Sequence, residues 1–312
     1  MSFKKKALLL SAACAVLLLG LSGTCIFDSA AINSQGANSR LIWLDLRFLS
    51  YADRIDITGS AGTGSEGSRQ VITLLKKNNI WVIPETDGNN RQTDYPARQI
   101  RVEELLSLLS RPGNYPVRST SSVLWIYGLD ENASRITVRG GAGPPLLDLF
   151  IGYTDLTGGI FLRKAGQSEI RSGSDIFTLY TENDRNFWYD LSIFPGLSAD
   201  MIQGFSIESE NEKFALTRDR NGWIDKYSGT PFPRADSYLR NILDAQGENF
   251  TALSDWETSC RLVLETGNGE LRALDIGPPG SRGERPARIS GSNLVYSIGE
   301  WTFKRILPPG FD

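Results

Sequence analysis

The sequence predicts an α+β protein: two tandem copies of an antiparallel-sheet module (hairpin, one amphipathic helix, meander) after an N-terminal transmembrane helix or signal segment. Three observations lead to this prediction. Short alternating apolar runs recur between Gly, Asn and Pro turns, which is typical of antiparallel strands. The same ordered set of motifs occurs twice between Trp43 and Leu307, and an internal repeat defines the folding unit. Residues 7–27 form an uninterrupted apolar stretch.

The N-terminal segment, residues 1–27, predicts insertion into a membrane. Lysines at 4–6 precede the apolar stretch, whose length suits a bilayer crossing of about 20 residues. Because basic residues stay in the cytoplasm, the remaining chain is expected on the extracytoplasmic (periplasmic) side of a bacterial cell membrane. Three fates are open: a retained single-pass anchor, a cleaved signal peptide, or lipidation at Cys25. Residues 28–40 are small and polar and predict a tether.

Each module begins with a Trp-x-Asp-Leu motif, which is followed by a predicted β-hairpin. Two apolar runs joined by turn residues favour this interpretation, and an Asn-Gly pair just before Trp223 adds a tight-turn signal. The corresponding segments are 43–46, 55–57 and 71–81 in the first module, residues 41–180, and 188–191, 205–207 and 213–223 in the second module, residues 188–312.

A helix is expected after the hairpin in each module. Pro96 and Pro233 each follow an aromatic residue and suit a first helical turn, where a missing N–H has no partner to lose. In the first module, apolar residues follow the i, i+3, i+4, i+7 spacing of one buried helix face. They are Val102, Leu105, Leu106 and Leu109.

The last third of each module predicts an antiparallel meander of short strands. Gly, Asn and Pro turns separate the apolar runs, whose lengths fit strands of about five residues. Residues 181–187 are expected to link the two modules. The corresponding runs are 135–138 and 261–264, 149–152 and 274–277, 159–162 and 288–290, and 174–180 and 301–307.

Composition limits the chemistry that the chain can perform. Its 312 residues suffice for two domains, and a net charge of -3 without a basic stripe argues against a nucleic-acid partner. The absence of histidine excludes Ser-His-Asp and Cys-His relays and imidazole metal sites. Cys260 is the one thiol beyond the N-terminal segment, so a thiolate zinc site is excluded too. We therefore expect no catalytic residue, no cofactor and no metal site.

The segment Gly62-Thr-Gly-Ser-Glu-Gly67 matches the spacing of a nucleotide-binding loop, with Glu85 about twenty residues further on. That function would need a helix beginning near Val71. The corresponding segment of the second module, 206–213, contains no glycine and lies between two predicted strands. A hairpin loop is therefore the preferred interpretation.

Phe187, Trp188 and Tyr189 form the candidate binding patch. Three consecutive aromatic residues cannot all face one core, and exposed aromatic groups mark interaction sites. Because the three residues lie where the modules meet in the sequence, they are expected to form a hinge or an exposed binding surface.

The chain resembles the DUF4340 domain family of uncharacterised bacterial proteins. The resemblance implies a membrane-anchored extracytoplasmic protein, often associated with ABC-type export systems related to gliding-motility transporters, and it brings no assigned catalytic residues. At the domain junction the family often has Trp-Arg-Asp-Lys, where this chain has Trp188-Tyr-Asp-Leu191. The resemblance covers most of residues 41–245. Its motifs are the N-terminal apolar anchor, Ile55-x-Ile57 before Trp81, Tyr95-Pro96-Ala97, Tyr127-Gly128-Leu129, Ile151-Gly152 and Phe187-Trp188-Tyr189-Asp190.

The sequence thus favours a non-enzymatic, membrane-anchored accessory protein that binds the permease or ATPase of an ABC-type transport system, or its cargo. One alternative is an extracytoplasmic solute- or glycan-binding protein that uses a groove between the modules. Another is a carboxylate-dependent cell-envelope hydrolase, which needs two carboxyl groups about 5–10 Å apart in a cleft.

Overall fold

The computed structural model describes residues 40–59, 69–86, 92–182, 184–252, 255–308 and 311. Antiparallel sheets with a few helices make up these residues, which confirms the α+β class. None of the helices in these ranges is long and apolar enough to cross a bilayer. The predicted anchor, the tether up to residue 39 and the candidate lipidation site Cys25 lie outside them.

The chain divides into two compact units. The first contains the described residues up to Asn79 together with Ile100–Asp184. The second contains Ile80–Gln99 and Arg185–Asp312. Residues 80–99, which the sequence assigned to the first module, therefore group with the second unit.

Short strands and a few helices alternate along the chain. Up to residue 182 they are β1 (Arg40–Leu41), α1 (Leu46–Leu49), β2 (Arg54–Thr58), β3 (Val71–Lys77), β4 (Ile80–Thr86), β5 (Gln92–Pro96), α2 (Gln99–Ser110), β6 (Gly113–Asn114), β7 (Val117–Ser119), β8 (Ser134–Arg139), β9 (Leu147–Thr154), β10 (Ile160–Lys164), β11 (Ile170–Gly173) and α3 (Ile176–Thr181). After it they are α4 (Arg185–Trp188), β12 (Ile202–Ser209), β13 (Lys213–Asp219), β14 (Gly222–Asp225), α5 (Ala235–Leu243), β15 (Asn249–Phe250), β16 (Cys260–Thr266), β17 (Leu271–Ile276), β18 (Arg285–Ile289), β19 (Tyr296–Ile298) and α6 (Glu300–Ile306). Leu124–Tyr127 and Ala199–Met201 form 3₁₀ turns.

The sheets of the two units share one strand order. In the first unit the order is β3-β2-β8-β9-β10-β11-β7. In the second it is β13-β12-β16-β17-β18-β19-β15, with β14 outside β13. The pairings within each unit are antiparallel, so the predicted hairpin pairings β2–β3 and β12–β13 are confirmed. The predicted runs 71–81 and 213–223 are wrong at their ends, because turns end β3 at Lys77 and β13 at Asp219, and Trp81 and Trp223 lie on the next strands, β4 and β14.

The two sheets also share their register. Ile55 of β2 lies opposite Val138 of β8. Phe205 of β12 lies opposite Leu264 of β16. The sequence repeat aligns Ile55 with Phe205 and Val138 with Leu264, so corresponding residues occupy corresponding ladder positions. All four side chains are buried, as expected for the inward face of an alternating strand.

The long helix of each unit buries one apolar stripe. On α2 the buried apolar residues are the four that the 3.6-residue spacing predicted, which confirms that face. The buried residues of α5 are Ala235, Tyr238, Leu239 and Ile242, and they belong to the core of the second unit. Burial of these stripes, more than the helix propensity of short segments, stabilises both helices.

The prediction of strands at 174–180 and 301–307 is wrong, because both segments contain helices. In α3, Phe177 and Tyr180 are buried three positions apart, and in α6, Thr302 and Ile306 are buried four apart. These spacings place the side chains on one helical face. The predicted linker 181–187 is likewise partly helical, since α3 ends at Thr181 and α4 begins at Arg185.

Candidate functional site

The predicted aromatic patch is largely internal. Trp188 is 0% exposed and Tyr189 is 4% exposed, whereas Phe187 is half-buried and meets Trp188 edge-on at 5.2 Å. The backbone explains this burial, because the Trp188 carbonyl accepts a hydrogen bond from the Arg98 N–H at 2.7 Å. Trp188 and Tyr189 therefore contribute to packing and do not form the expected exposed surface.

Tyr189 belongs to an aromatic cluster within the second unit. Its ring lies 5.5 Å from Tyr95 and 5.1 Å from Phe250, and its hydroxyl donates to Glu85. Arg185 forms an ion pair with the same carboxylate at 3.0 Å. Burial, followed by the hydrogen bond and the charge of Glu85, raises the pKa of Tyr189. The phenol therefore stays protonated, and this arrangement positions side chains rather than supplying a reactive group.

The glycine-rich segment 62–67 lies outside the described residues, but the strands on both sides of it are described. β2 and β3 pair antiparallel, with Thr58 opposite Val71. A nucleotide-binding loop of the dinucleotide type leads from a strand into a helix. Since a strand begins at Val71, the preferred hairpin interpretation is confirmed.

A polar cleft of about 670 Å³ lies in the second unit, between the β12–β13 turn and the segment before β16. Glu208, Glu210, Glu257 and Cys260 help to line it, and Glu208 pairs with Lys213 at 2.5 Å. Burial raises the pKa of the Cys260 thiol to about 11, so the thiol is mostly protonated at neutral pH. Among the described residues, no group of three or more Cys, Asp or Glu side chains is placed to hold a metal ion.

The first unit exposes several large apolar side chains. Those of Val123, Trp125 and Ile126 lie on or beside the 3₁₀ turn, and those of Tyr153 and Leu156 lie near the end of β9 and in the turn after it; Trp125 is 65% exposed. The sequence did not single out Trp125, because the run Leu-Trp-Ile-Tyr at 124–127 has the composition of a buried strand. It instead forms a 3₁₀ turn that leaves the indole in solvent.

Two glycines hold this turn against strand β9. Gly128 adopts φ 64°, and a Cβ there would lie 2.7 Å from the ring of Tyr153. A Cβ at Gly152 would overlap the carbonyl oxygen of Tyr127. The Tyr127 ring also meets Phe161 edge-on at 5.0 Å. Because backbone and rings approach this closely, the turn presents its side chains from a fixed support.

The β9–β10 turn is organised by Asp155. Its carboxylate accepts hydrogen bonds from the backbone N–H groups of Thr157 at 2.7 Å and Gly159 at 2.9 Å, and from the Ser172 hydroxyl. Burial alone would raise the pKa of Asp155, but these hydrogen bonds outweigh it and lower the pKa to about 2. The ordered turn directs Leu156, which is fully exposed, away from the sheet.

A second exposed surface, the Trp301–Arg305 surface, lies on α6. Trp301 is 69% exposed, and the Arg305 guanidinium lies over its ring at 4.5 Å. On a neighbouring face of the helix Lys304 pairs with Glu300 at 3.3 Å. Thr302 and Ile306 are buried. The helix thus exposes an aromatic ring stacked with a guanidinium.

Comparison with protein-family models, curated proteins and solved structures finds no match for this chain. The resemblance to the DUF4340 domain family therefore stays a prediction that rests on the sequence motifs.

Proposed function

We propose that the chain is a non-enzymatic, membrane-anchored extracytoplasmic accessory protein that binds a component of an ABC-type transport system. Residues 7–27 would anchor it in the membrane, and the two units would be displayed on the periplasmic side. The observation that carries the partner-binding part of this proposal is the exposed Trp301–Arg305 pair on α6.

We infer that the two units are tandem copies of one module. Seven strands in each unit follow the same order, and Ile55 and Phe205 have corresponding ladder partners. Duplication leaves the buried residues under similar constraints and lets the exposed residues diverge. Trp301 lies on such an exposed face, so it can serve recognition without serving the core.

The Trp301–Arg305 surface has the chemistry of an interface hot spot. Trp and Arg are among the residues that contribute most binding energy per side chain in protein interfaces. Stacking of Arg305 on the ring holds the indole in place before a partner arrives, which lowers the entropy lost on binding. A matching partner surface would provide an apolar recess for the indole, with carboxylates placed to meet Arg305.

The test is a mild-detergent pulldown of the tagged full-length chain from its native membrane, followed by mass spectrometry. We expect an ABC permease or ATPase in stoichiometric amount. Trp301→Ala should reduce its recovery at least about tenfold, the loss expected for a hot-spot tryptophan. Tyr227→Ala is the matched control, since Tyr227 is an exposed aromatic residue of the same unit. Recovery of the wild-type chain without a partner, or an equal loss of the partner with Trp301→Ala and Tyr227→Ala, would contradict the proposal.

A solute- or glycan-binding function is the second candidate, and the polar cleft of the second unit favours it. The cleft has the volume of a ligand pocket, and the side chains of Ser209, Thr258 and Glu257 can exchange hydrogen bonds with hydroxyl groups. A glycan and small-solute screen of the full-length chain tests this function. A ligand whose binding is lost in Glu257→Gln would support it, and a screen without binders would not.

A further inference from the structure

In the second unit, a carboxylate lies between two arginines on neighbouring strands. Asp275 of β17 is the ladder partner of Arg261 on β16 and of Arg288 on β18. Its carboxylate forms an ion pair with Arg261 at 3.5 Å. Because directly opposite side chains share one face of a sheet, Asp275 places a negative charge between two positive ones.

The first unit keeps both arginines but has an aromatic ring between them. The repeat aligns Phe150 of β9 with Asp275. Phe150 is the ladder partner of Arg135 on β8 and of Arg163 on β10, and the two guanidinium groups lie 5.0 and 4.8 Å from the centre of its ring. Arg135 still has a counter-charge, because it pairs with Asp148.

Arg163 has no such counter-charge in the part of the chain that the structure describes. Its Nε is buried without a hydrogen-bond partner, and its Nη1 donates to a backbone carbonyl at 3.5 Å. The guanidinium is half-buried, and a group in this position is favoured by a carboxylate that forms two parallel hydrogen bonds with it. The exchange of a carboxylate for a ring at position 150 thus leaves one cation available to a ligand.

Arg163 lines a shallow recess of about 380 Å³ beside the 3₁₀ turn. The exposed indole of Trp125 lines the same recess, as do Asp130 and Glu131. Asp130 accepts a hydrogen bond from the Asn132 backbone N–H at 2.9 Å, and the Glu131 side chain is exposed. The recess therefore combines one cation, two carboxylates and one large ring in a volume that suits a small molecule.

These charges match those of a zwitterion. A carboxylate without a cationic group would pair with Arg163 but would be repelled by Asp130 and Glu131. A cation without a carboxylate would leave Arg163 unpaired. A free α-amino acid carries both charges on one carbon, and its side chain would be free to lie on the indole of Trp125, which offers a large apolar surface.

We propose that this recess binds a free α-amino acid with an aromatic or aliphatic side chain. The ligand carboxylate pairs with Arg163 and supplies the negative charge that Asp275 supplies in the second unit. The ligand ammonium group pairs with Asp130 or Glu131. This inference does not rest on the proposed function, because the recess and the Trp301–Arg305 surface belong to different units.

The first experiment is a ligand-observed NMR titration of the full-length chain in detergent, with detergent alone as the blank. L-phenylalanine is compared with 3-phenylpropanoate, which lacks the ammonium group, and with 2-phenylethylamine, which lacks the carboxylate. We expect L-phenylalanine to bind at least about tenfold more tightly than either analogue, since each analogue loses one charge-assisted interaction. No binding of L-phenylalanine at millimolar concentration, or equal binding of either analogue, would overturn the inference.

The second experiment repeats the titration on variants. Arg163→Gln should weaken binding of L-phenylalanine at least about tenfold. Arg288→Gln is the matched control, because it changes the corresponding arginine of the second unit, and the affinity should stay as in the wild type. Trp125→Ala removes an exposed side chain, so it should weaken binding without a change in the urea midpoint. Equal affinities of Arg163→Gln and Arg288→Gln, or unchanged binding by Trp125→Ala, would contradict the site.

Failure of this inference is distinguishable from failure of the proposed function. Trp301→Ala, the variant that tests the transporter contact, should bind L-phenylalanine as the wild type does. Loss of the transporter partner with amino-acid binding retained would therefore leave the recess assignment intact. Loss of amino-acid binding in Trp301→Ala would overturn the assignment to the recess of the first unit.

Discussion

The indole Nε1 of Trp223 donates a hydrogen bond to Oδ1 of Asp236 at 2.9 Å. Arg218 lies 3.2 Å from the same oxygen and 5.2 Å over the indole ring. Gln99 occupies the corresponding position after Pro96, where its amide bonds to the backbone N–H and carbonyl of Trp81. In both segments the third residue after proline thus joins a tryptophan-bearing strand to the start of a helix.

Asp236→Ala should lower the free energy of unfolding by about 1–3 kcal/mol, because the buried indole N–H would lose its acceptor. Asp236→Asn keeps an oxygen there, and the free energy of unfolding should fall by less than about 1 kcal/mol, since the ion pair with Arg218 is partly exposed. Urea denaturation followed by circular dichroism measures both. The control is Ser237→Ala on the exposed side of α5, and equal stability of Asp236→Ala and this control would refute the prediction.

Gly152→Ala should destabilise the first unit by about 1–3 kcal/mol, because its Cβ would overlap the carbonyl oxygen of Tyr127 and push the 3₁₀ turn off β9. The measurement is the shift in the urea midpoint. Gly143→Ala is the control, since a Cβ there meets nothing within 4 Å, and it should be neutral or slightly stabilising. A neutral Gly152→Ala would show that the turn can move freely.

We expect the free energy of unfolding to fall in acid because of Asp155. The pKa of its carboxyl is lowered to about 2 in the folded protein, although burial acts in the opposite direction. A folded-state pKa below the unfolded value stabilises the protein above about pH 4, and this contribution is lost as the pH falls toward about 2. Asp155→Asn should therefore lose about 1 kcal/mol at neutral pH, after allowance for solvent screening.

The stability difference between wild type and Asp155→Asn should shrink between about pH 4 and pH 2. Urea denaturation at several pH values measures it. Asp175→Asn removes an exposed carboxylate two residues beyond β11 and is the control for the charge change itself. A difference that is constant across this range would contradict the assigned hydrogen bonds.

Cys260 should react slowly with maleimide in the native protein. The side chain is buried, and burial raises the pKa of the thiol to about 11, against a smaller lowering by Arg285. The thiolate fraction near neutral pH is therefore small, and labelling should be at least about 100-fold slower than in urea. Peptide mass spectrometry follows the peptide that contains Cys260. Rapid native labelling would mean that the start of β16 opens.

The sequence predicts the parts of the fold whose periodicity is long enough to be unambiguous. The alternation at Ile55 and Ile57 identifies a strand, and the spacing over 102–109 identifies the buried face of α2. The helices α3 and α6 were missed because each makes fewer than about two turns. Over that length, a buried pair such as Phe177 and Tyr180 does not distinguish a helix from a strand.

The candidate site was harder to predict, because exposure depends on residues far away in the chain. From the sequence we expect Tyr189 to be part of an exposed patch. In the structure Tyr95 and Phe250, which are distant in the chain, pack against it. Trp125 shows the reverse: its apolar neighbours suggest a core strand, and only the 3₁₀ turn exposes it. No local pattern encodes these tertiary neighbours, so the sequence prediction placed Tyr189 at the surface and did not single out Trp125.

The common strand order has a consequence for the time course of folding. Ser119 of β7 pairs with Ile170, and Asn249 of β15 pairs with Ser297, so about fifty residues separate each edge strand from its partner. During synthesis from the N-terminus, β7 therefore stays unpaired until β11 has been made. Such non-local pairing slows folding. A chaperone that binds the growing chain would meet each unit with this strand still unpaired.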